Sequence, residues 1–562
     1  MASKKALLGG VSVKVENRSG FDKSHYNAFT APLGAIVPMV KQLMLPGKGK
    51  LSVKVSAQLP PLASDAFLRS HLKVEAFLVP MRLCYGGFQS WFSGEPISLQ
   101  AFTTPASPLG VAELPRLNIP DSDPNQSTSV QQSYLDAVFG PHSLMDYFGV
   151  KFGLINGHVD VAGDYYNNHY YNIFPFIAYQ LCYHHWYRNK LVQRPLFAVP
   201  DASLGYNGYD AGYLPYISFS SIHDFTVKNG IFGLDADRCN LLNGYLLQLR
   251  QRNYGFDYFT TALPSAQDGS PMSVNTSGGS FTISSLRVAN SLQEFAERNQ
   301  VAGPDYVQVC RSRYGKAPSG GVAQRPILLG SADFPMFTSG VEQSAPFDSN
   351  SAQTSNPFEG LGARYGRAHA EGSDFVCEFD CDEPSYLMVM CSLVPEANYS
   401  RGIPRDMTIF TGSGSIIDLP NAQLERVGLE PIYDHELSNN QFTDPTQVFG
   451  YQPRYMWHKA GQMNEVHGLF REGASLESFI PQRTIPHQSV ISDSFLVVNP
   501  TDLDNVTAVS GSLSQYGVMI DSAIELYVSE PLGESVMPSL VDPASEHGQS
   551  VYLKRGGSNV DN

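Results

Sequence analysis

The segment FDKSHYNAFTAP, residues 21–32, places the three residue types of a hydrolytic triad within four positions: Asp22, Ser24 and His25. In such a triad a serine attacks a carbonyl carbon, a histidine takes its proton, and a carboxylate orients the histidine. The three groups are normally assembled in space from separate elements. We therefore expect local turn hydrogen bonds here, followed by the extended run APLGAIVPMV, and we assign no catalytic residue.

Other side chains that could bind a metal lack the spacing of a metal site. The two histidines of HKAGQMNEVH, residues 458–467, do not have the separation that places zinc ligands on one helical turn. Cys377 and Cys381 lie in the alternating stretch FVCEFDC, which favours a reduced, partly buried pair. The adjacent His184 and His185 should point to different sides of a helix, one packing and one bonding locally. No metal and no cofactor are predicted.

Two acidic clusters are candidates for acid–base chemistry or calcium binding. Asp380, Asp382 and Glu383 lie in FDCDEP, and a second cluster lies at residues 434–436. The first lacks the residue order of a calcium loop, so a turn at a strand end explains it better. A carbohydrate-active or esterase-type β-protein that uses these acids is one alternative function, which paired acids in a pocket and turnover of a glycan would reveal.

The composition is that of a chain rich in strands and loops. Of the 562 residues 42% are hydrophobic and only 16% are charged, and there are 49 glycines and 38 prolines. The charged share is below the usual quarter, which suggests that partners cover much of the surface. Seven cysteines, an odd number, argue against a disulfide framework. No secretory signal or bilayer-length apolar run is evident, so synthesis in a cytosol is expected.

Charge is distributed unevenly along the chain. The net charge is −15, yet residues 1–60 hold nine Lys and Arg against two acids and so carry +7. This asymmetry fits a basic arm that faces an anionic partner, or simply a solvated basic terminus.

Short alternating patterns predict strands along most of the chain, and two segments have helical periodicity. The helices are expected at residues 174–192 and 284–300. The strands are expected at residues 11–15, 51–59, 72–80, 385–395, 492–500 and 523–531. Without a repeat or a clear linker, the chain is interpreted as one domain.

Several longer stretches resemble the major capsid proteins of the Microviridae, small tailless bacteriophages with circular single-stranded DNA, and most closely their gokushovirus-like members. The similarity begins in FDKSHYNAFTAPLGAIVPMVKQLMLPGKGKLSVKVSAQ and HLKVEAFLVPMRLCYGGFQSWFSGE. It continues in family order through FPFIAYQLCYHHWYRNKLVQ, DYFTTALPSAQDG, AQRPILLGS and VFGYQPRYMWHK. The family's large insertion after the segment that resembles DYFTTALPSAQDG is short here.

The resemblance implies a mainly β fold: an eight-stranded antiparallel jelly roll with long loop insertions and a few helices. It implies a single capsid domain, 1–562, with a basic arm or strap at 1–50 and insertions near 100–165, 201–235 and 338–375. Sixty copies, through pentamers, would form a T=1 icosahedral shell around the single-stranded DNA genome. The protein would be made in the bacterial host cytoplasm and reside in the virion.

The resemblance also implies further partners: a small basic DNA-packaging protein, an internal scaffolding protein, a DNA pilot protein and a host surface receptor. Within this interpretation, Lys4, Lys5 and Lys14 are predicted to face DNA. An assembly strap along residues 21–47 is predicted, and its marker residues are Phe21, Asp22, His25 and Pro38. The second alternative function is a receptor-binding spike, which would form a small oligomer in place of a shell.

Overall fold

The structure is a computed structural model, and it describes part of the chain. The described residues are 19–85, 88, 92, 116–119, 136, 138–151, 153–155, 158–159, 169–193, 224–226, 246–265, 287, 291, 306–316, 318, 324–342, 364–408, 429–438, 447–459, 464–483, 485, 490–508 and 516–531.

Seventeen strands lie within the described residues. They are β1 (Ser19–Asp22), β2 (His25–Ala31), β3 (Val37–Met44), β4 (Gly47–Gln58), β5 (Ser70–Pro80), β6 (Arg116–Ile119), β7 (Leu154–Ile155), β8 (His158–Val159), β9 (His169–Asn172), β10 (Asp224–Thr226), β11 (Ile327–Pro335), β12 (Phe337–Glu342), β13 (Arg364–Cys381), β14 (Ser385–Pro395), β15 (Leu429–Tyr433), β16 (Val448–Pro453) and β17 (Val518–Glu530).

Helices are short in the same part of the chain. They are α1 (Met81–Cys84), α2 (Leu144–Tyr147), α3 (Phe174–Cys182), α4 (Tyr306–Tyr314), α5 (Arg405–Thr408), α6 (His435–Ser438), α7 (Met456–Lys459) and α8 (Asp493–Leu496), with a π-helical turn at Tyr183–Tyr187 and 3-10 turns at Gly468–Phe470, Glu477–Phe479 and Pro500–Leu503. None of the described helices is long and apolar enough to cross a membrane.

Two antiparallel sheets form the centre of the molecule. In the first, the strand order is β1–β17–β4–β13–β12, and β2 also pairs with β17. In the second, the order is β11–β5–β14–β3. Neighbouring strands in each sheet are mostly distant in sequence, so both sheets depend on long-range strand pairing. The prediction of a mainly β fold with antiparallel sheets is confirmed.

The alternating pattern of β4 explains the packing between the sheets. Leu51, Val53 and Val55 are buried, while the lysines between and before them face outward. These side chains belong to a core cluster that also contains Leu387 and Val389 of β14. Burial of one face of each sheet against the other is the main apolar stabilisation of this core.

Strand β14 shows no alternation, because both of its faces are buried. Leu387 and Val389 face the core between the sheets, whereas Met388 and Met390 belong to a second cluster. That second cluster includes α3, whose nine residues are all buried and which begins with Pro175 in its first turn. A continuous apolar run such as SYLMVMCSLVP is what a strand covered on both sides requires.

Several predicted elements are found where the sequence indicated them. Predicted strands 51–59, 72–80, 385–395 and 523–531 correspond to β4, β5, β14 and β17, and the predicted helix at 174–192 corresponds to α3 and its π-helical turn. The predicted strand at 11–15 and nearly all of the predicted helix at 284–300 lie outside the described residues.

The strand predicted at residues 492–500 is wrong. Asp493–Leu496 form the single helical turn α8, and Pro500 begins a 3-10 turn. The turn buries both Phe495 and Leu496 on a third cluster, which an alternating strand would point to opposite sides.

The three predicted insertions contain some regular structure. The stretch 338–375 includes most of β12 and the first part of β13, both in the first sheet. The stretch 100–165 includes β6, α2, β7 and β8, and 201–235 includes β10. Most of their remaining residues lie outside the described part of the chain.

Candidate functional site: an N-terminal strap

Residues 19–31, which we call the strap, run along the edge of the first sheet. β1 and β2 both pair antiparallel with β17, from Ser19 opposite Glu530 to Ala31 opposite Val518, and the register is the same on both sides of residues 23–24. The strap is therefore one continuous edge strand with a local change in its hydrogen bonding. It covers β17 along all thirteen residues of that strand.

The DKSH motif produces that local change. Ser24 N–H donates to Asp22 Oδ1 at 2.9 Å, and the Lys23 carbonyl lies 3.1 Å from His25 Nδ1. Ser24 Oγ in turn accepts from Leu526 N–H at 3.1 Å, and Lys23 N–H donates to the Leu526 carbonyl at 2.8 Å. The predicted local hydrogen bonds are confirmed, and the three side chains do not converge as a triad would.

A part-buried ion pair made by the lysine of this motif fastens the strap to the end of β17. Lys23 Nζ lies 3.1 and 3.0 Å from the two carboxylate oxygens of Glu530, at the end of β17. Only 3% of the Glu530 side chain and 23% of the Lys23 side chain are exposed. Glu530 also accepts from Leu45 N–H at 3.2 Å, just before β4. One carboxylate therefore joins the strap, β17 and the turn between β3 and β4.

The second half of the strap is held by separate polar contacts. Asn27 Nδ2 donates to the Met39 carbonyl at 2.9 Å, and Ser522 Oγ donates to the Asn27 carbonyl at 2.8 Å. Tyr147 of α2 donates from its hydroxyl to the Thr30 carbonyl at 2.6 Å. The first half of the strap, residues 19–25, and its second half, residues 26–31, are thus held by different contacts.

The predicted strap residues do not all lie together. Phe21 is half-buried against the core between the sheets, while Asp22 and His25 are exposed on the strap. Pro38 is buried in β3 of the second sheet, opposite Met390. The chain changes sheets at the turn 32–36, which separates Pro38 from the others.

The predicted DNA-facing residues Lys4, Lys5 and Lys14 lie outside the described residues. The residues that contact the strap, in contrast, are described. One of the most buried among them, Glu530, was not predicted from the sequence. Lys23 and Glu530 are 507 positions apart, and no local pattern links such a distant pair.

The first acidic cluster is dispersed at the end of β13. Asp380 and Asp382 are exposed, whereas Glu383 accepts from Arg82 Nε with both oxygens at 2.9 Å. Cys381 Sγ lies 3.0 Å from the Glu383 carbonyl. Among the described residues, no three His, Cys, Asp or Glu side chains are close enough to hold a metal ion.

The second acidic cluster is a buried structural network. Glu436 lies 3.1 Å from Arg405 Nη1, accepts from Tyr433 N–H at 3.0 Å, and accepts from the Tyr258 hydroxyl at 3.1 Å. Glu430 lies 3.6 Å from Arg405 Nη2. The exposed fractions of these three charged side chains are 18% for Arg405, 13% for Glu430 and 3% for Glu436. Two carboxylates thus share one guanidinium away from solvent.

Burial has the largest effect on the pKa values of the two carboxyl groups in this network. It raises the pKa of Glu430 and of Glu436, although the Arg405 charge acts in the opposite direction on both. One arginine cannot fully compensate two desolvated carboxylates. The network ties α5 to β15 and α6, and within the described residues both acids are largely shielded from solvent.

The paired histidines differ in environment, as predicted. His184 is buried in the π-helical turn, and desolvation lowers its pKa to about 3, whereas His185 is half-buried. Cys377 and Cys381 are both buried and free, and burial raises the pKa of the Cys377 thiol to about 11. Burial also raises the pKa of the Cys381 thiol, so neither cysteine has the lowered thiol pKa that a catalytic nucleophile requires.

Comparison with known proteins gives two findings. A family model described as capsid protein (F protein) matches residues 11–281 and 276–535. The capsid protein VP1 of Chlamydia phage 1 is 24% identical over 590 aligned residues, which cover 88% of this chain and 91% of that relative. The residues matched by the family model include the strap and both central sheets.

Proposed function

Because the chain belongs to the phage capsid protein family described as F protein, it is a major capsid protein of a bacteriophage virion, and we propose that sixty copies of it close a T=1 icosahedral shell. The resemblance to microvirus capsid proteins is confirmed. The match of the family model along both halves of the chain carries this conclusion. The family is one of structural proteins, and we propose that the chain has no enzymatic role.

We further propose that the two central sheets form one eight-stranded jelly roll. The orders β2–β17–β4–β13 and β3–β14–β5–β11 support it, because these eight strands, taken in chain order, alternate between the two sheets except at β5 and β11, which are neighbours in the second sheet. In a jelly roll two Greek keys wind the chain in this way. The other described strands would then belong to insertions into a single capsid domain that spans residues 1–562.

In the shell, the strap would brace the subunit next to its neighbours. It lies at a sheet edge, and in a closed symmetric assembly each copy must contact several identical copies. Its exposed side chains include Tyr26, which is 85% exposed in the isolated subunit. Stable contacts of this kind commonly bury about 2,000 Å² or more, and exposed aromatic side chains suit them.

The shell would enclose circular single-stranded DNA. Sixty copies at −15 carry about −900 formal charges, so the protein as a whole does not neutralise the genome. We propose that Lys4, Lys5 and Lys14 contribute by facing the DNA, together with a small basic packaging protein. We assign scaffolding and pilot proteins and a host receptor as further partners, with synthesis in the host cytoplasm, on family membership alone.

Particle formation tests the proposal directly. The full chain, produced together with the accessory proteins of its phage, is expected to sediment as a multi-megadalton particle and to appear as hollow or DNA-filled spheres in negative stain. The packaged DNA should resist nuclease. A stable monomer that never forms spheres would contradict the shell, a small defined oligomer would indicate a receptor-binding spike, and glycan turnover would indicate a carbohydrate-active protein.

Two variants test the assigned residues. Deletion of residues 1–30, which removes most of the strap, is expected to reduce particle yield strongly, and unchanged yield would contradict bracing.

Reversal of charge at Lys4, Lys5 and Lys14 is expected to lower the DNA content per particle while shells still form. Unchanged DNA content would remove the proposed contact.

A further inference from the structure

The strap protects a strand that would otherwise be an exposed edge. One side of β17 pairs with β4 and the other pairs with the strap. Without the strap, alternate residues along the thirteen of β17 would present unpaired N–H and carbonyl groups to solvent. A long, regular edge strand is a template for pairing with other chains, whereas the strap, which becomes the edge in place of β17, is interrupted at residues 23–24.

Apolar burial holds the strap only weakly. Of its thirteen residues, Ala31 alone is fully buried, and Phe21 and Phe29 are half-buried. Side chains such as Asp22, His25 and Tyr26 are exposed. Ordering an extended segment costs conformational entropy at every residue, so a segment with little apolar contact needs other anchors.

The Lys23–Glu530 pair supplies that anchor for the first half. Glu530 lies on the buried face of β17, and its carboxylate has only Lys23 and the Leu45 N–H as described partners. With the strap closed but the lysine charge absent, the carboxylate would be buried without a cation. Breaking a buried pair by removing one partner is strongly unfavourable for that reason.

We propose that Lys23 and Glu530 form a latch that keeps residues 19–25 closed on β17 in the unassembled subunit. The latch guards the β17 edge, so that subunits meet through their native contacts and not edge to edge. The second half of the strap, held through Asn27 and Thr30, does not depend on it. The latch itself is independent of the proposed shell, and only its consequence for assembly rests on that function.

Hydrogen exchange of the full-length unassembled subunit tests the latch. In Lys23→Met, amides of residues 19–25 and of the facing end of β17 should exchange at least tenfold faster than in the wild type. The matched control is Lys50→Met, because Lys50 pairs with Glu378 at 3.7 Å where both side chains are about 60% exposed. The control should exchange like the wild type.

A second variant separates the charge from the side chain. In Lys23→Met/Glu530→Gln no buried carboxylate is left unpaired, so most of the lost protection should return. Wild-type exchange in Lys23→Met, or equal loss in the Lys50→Met control, would overturn the latch. So would a double variant that exchanges as fast as Lys23→Met.

The amides of β14 report whether the subunit as a whole is folded. If β14 also loses protection in Lys23→Met, recovery in the double variant still supports the latch, and no recovery contradicts it. Light scattering then tests whether the latch prevents edge-to-edge pairing of subunits. Lys23→Met subunits should form irregular aggregates at the expense of shells. Failure of the wild type to form shells would contradict the shell while leaving the exchange result valid.

Discussion

Replacement of Arg405 by methionine should be among the most destabilising single changes at a charged residue of this protein. Arg405 is the cation between Glu430 and Glu436, at 3.6 and 3.1 Å, and it also donates to the Pro431 carbonyl at 2.7 Å. Its loss leaves two carboxylates desolvated, 13% and 3% exposed. Removing one partner of a buried pair costs about 3–5 kcal/mol, and we expect a loss in this range at pH 8.

The same variant should become less harmful as the pH falls. Burial already raises the pKa of both carboxyl groups, and removal of the arginine charge raises them further. A carboxyl whose folded-state pKa exceeds its unfolded value destabilises the protein above that pKa and gains stability as it binds a proton. The difference in unfolding free energy from the wild type should therefore shrink between pH 8 and pH 5.

Urea unfolding of the unassembled subunit at both pH values measures this effect. The matched control is Arg401→Met, four positions away, because Arg401 pairs with Glu472 at 2.7 Å with about a third of each side chain exposed. An exposed pair of this kind contributes about 0–1 kcal/mol. Equal losses in the two variants, or a loss in Arg405→Met that does not depend on pH, would refute the reasoning.

Three further predictions concern single buried groups. Glu430→Gln should be at least as stable as the wild type at pH 8 and lose that advantage toward pH 4 in urea unfolding, because burial raises the pKa of the carboxyl it replaces. Gly34→Ala should cost about 2 kcal/mol or more in unfolding free energy, since φ is +74° and the added Cβ would lie 2.6 Å from a valine Cβ. The control Gly149→Ala, where φ is +82° but the surrounding space is open, should cost only about 1 kcal/mol. Tyr179→Phe should lose about 1–3 kcal/mol, because the buried hydroxyl bonds to a backbone carbonyl and a backbone N–H, whereas Tyr26→Phe, 85% exposed, should unfold like the wild type.

The sequence predicts those elements whose pattern follows from local burial. Strand β4 alternates because one face is covered, and β14 is uniformly apolar because both are. Pro175 marks the start of α3 because its missing N–H would have had no partner there. In each case the residue pattern and the burial have the same physical cause, so the elements are found within a few residues of their predicted positions.

Long-range pairing is what the sequence does not reveal. The partner of Lys23 is 507 positions away in the sequence. Arg405, which lies between Glu430 and Glu436, comes from the separate helix α5. At residues 492–500 the pattern is compatible with a strand, yet contacts with the third cluster favour a helical turn. Tertiary contacts of this kind override a short local pattern.

The exposed face of the first sheet bears on the proposed packaging of DNA by an acidic subunit. Lys48, Lys50 and Lys54 project from β4, but the register places Asp380 opposite Lys48 and Glu378 opposite Lys50 on β13. The other neighbour, β17, adds two exposed acids of its own to the same face. Phosphate groups are held by cations that are free of competing carboxylates, so this face is not a basic stripe. In the proposed DNA-filled shell this face would therefore supply few free cations, which is consistent with the lysine-rich start of the chain and a separate basic protein as the sources we propose.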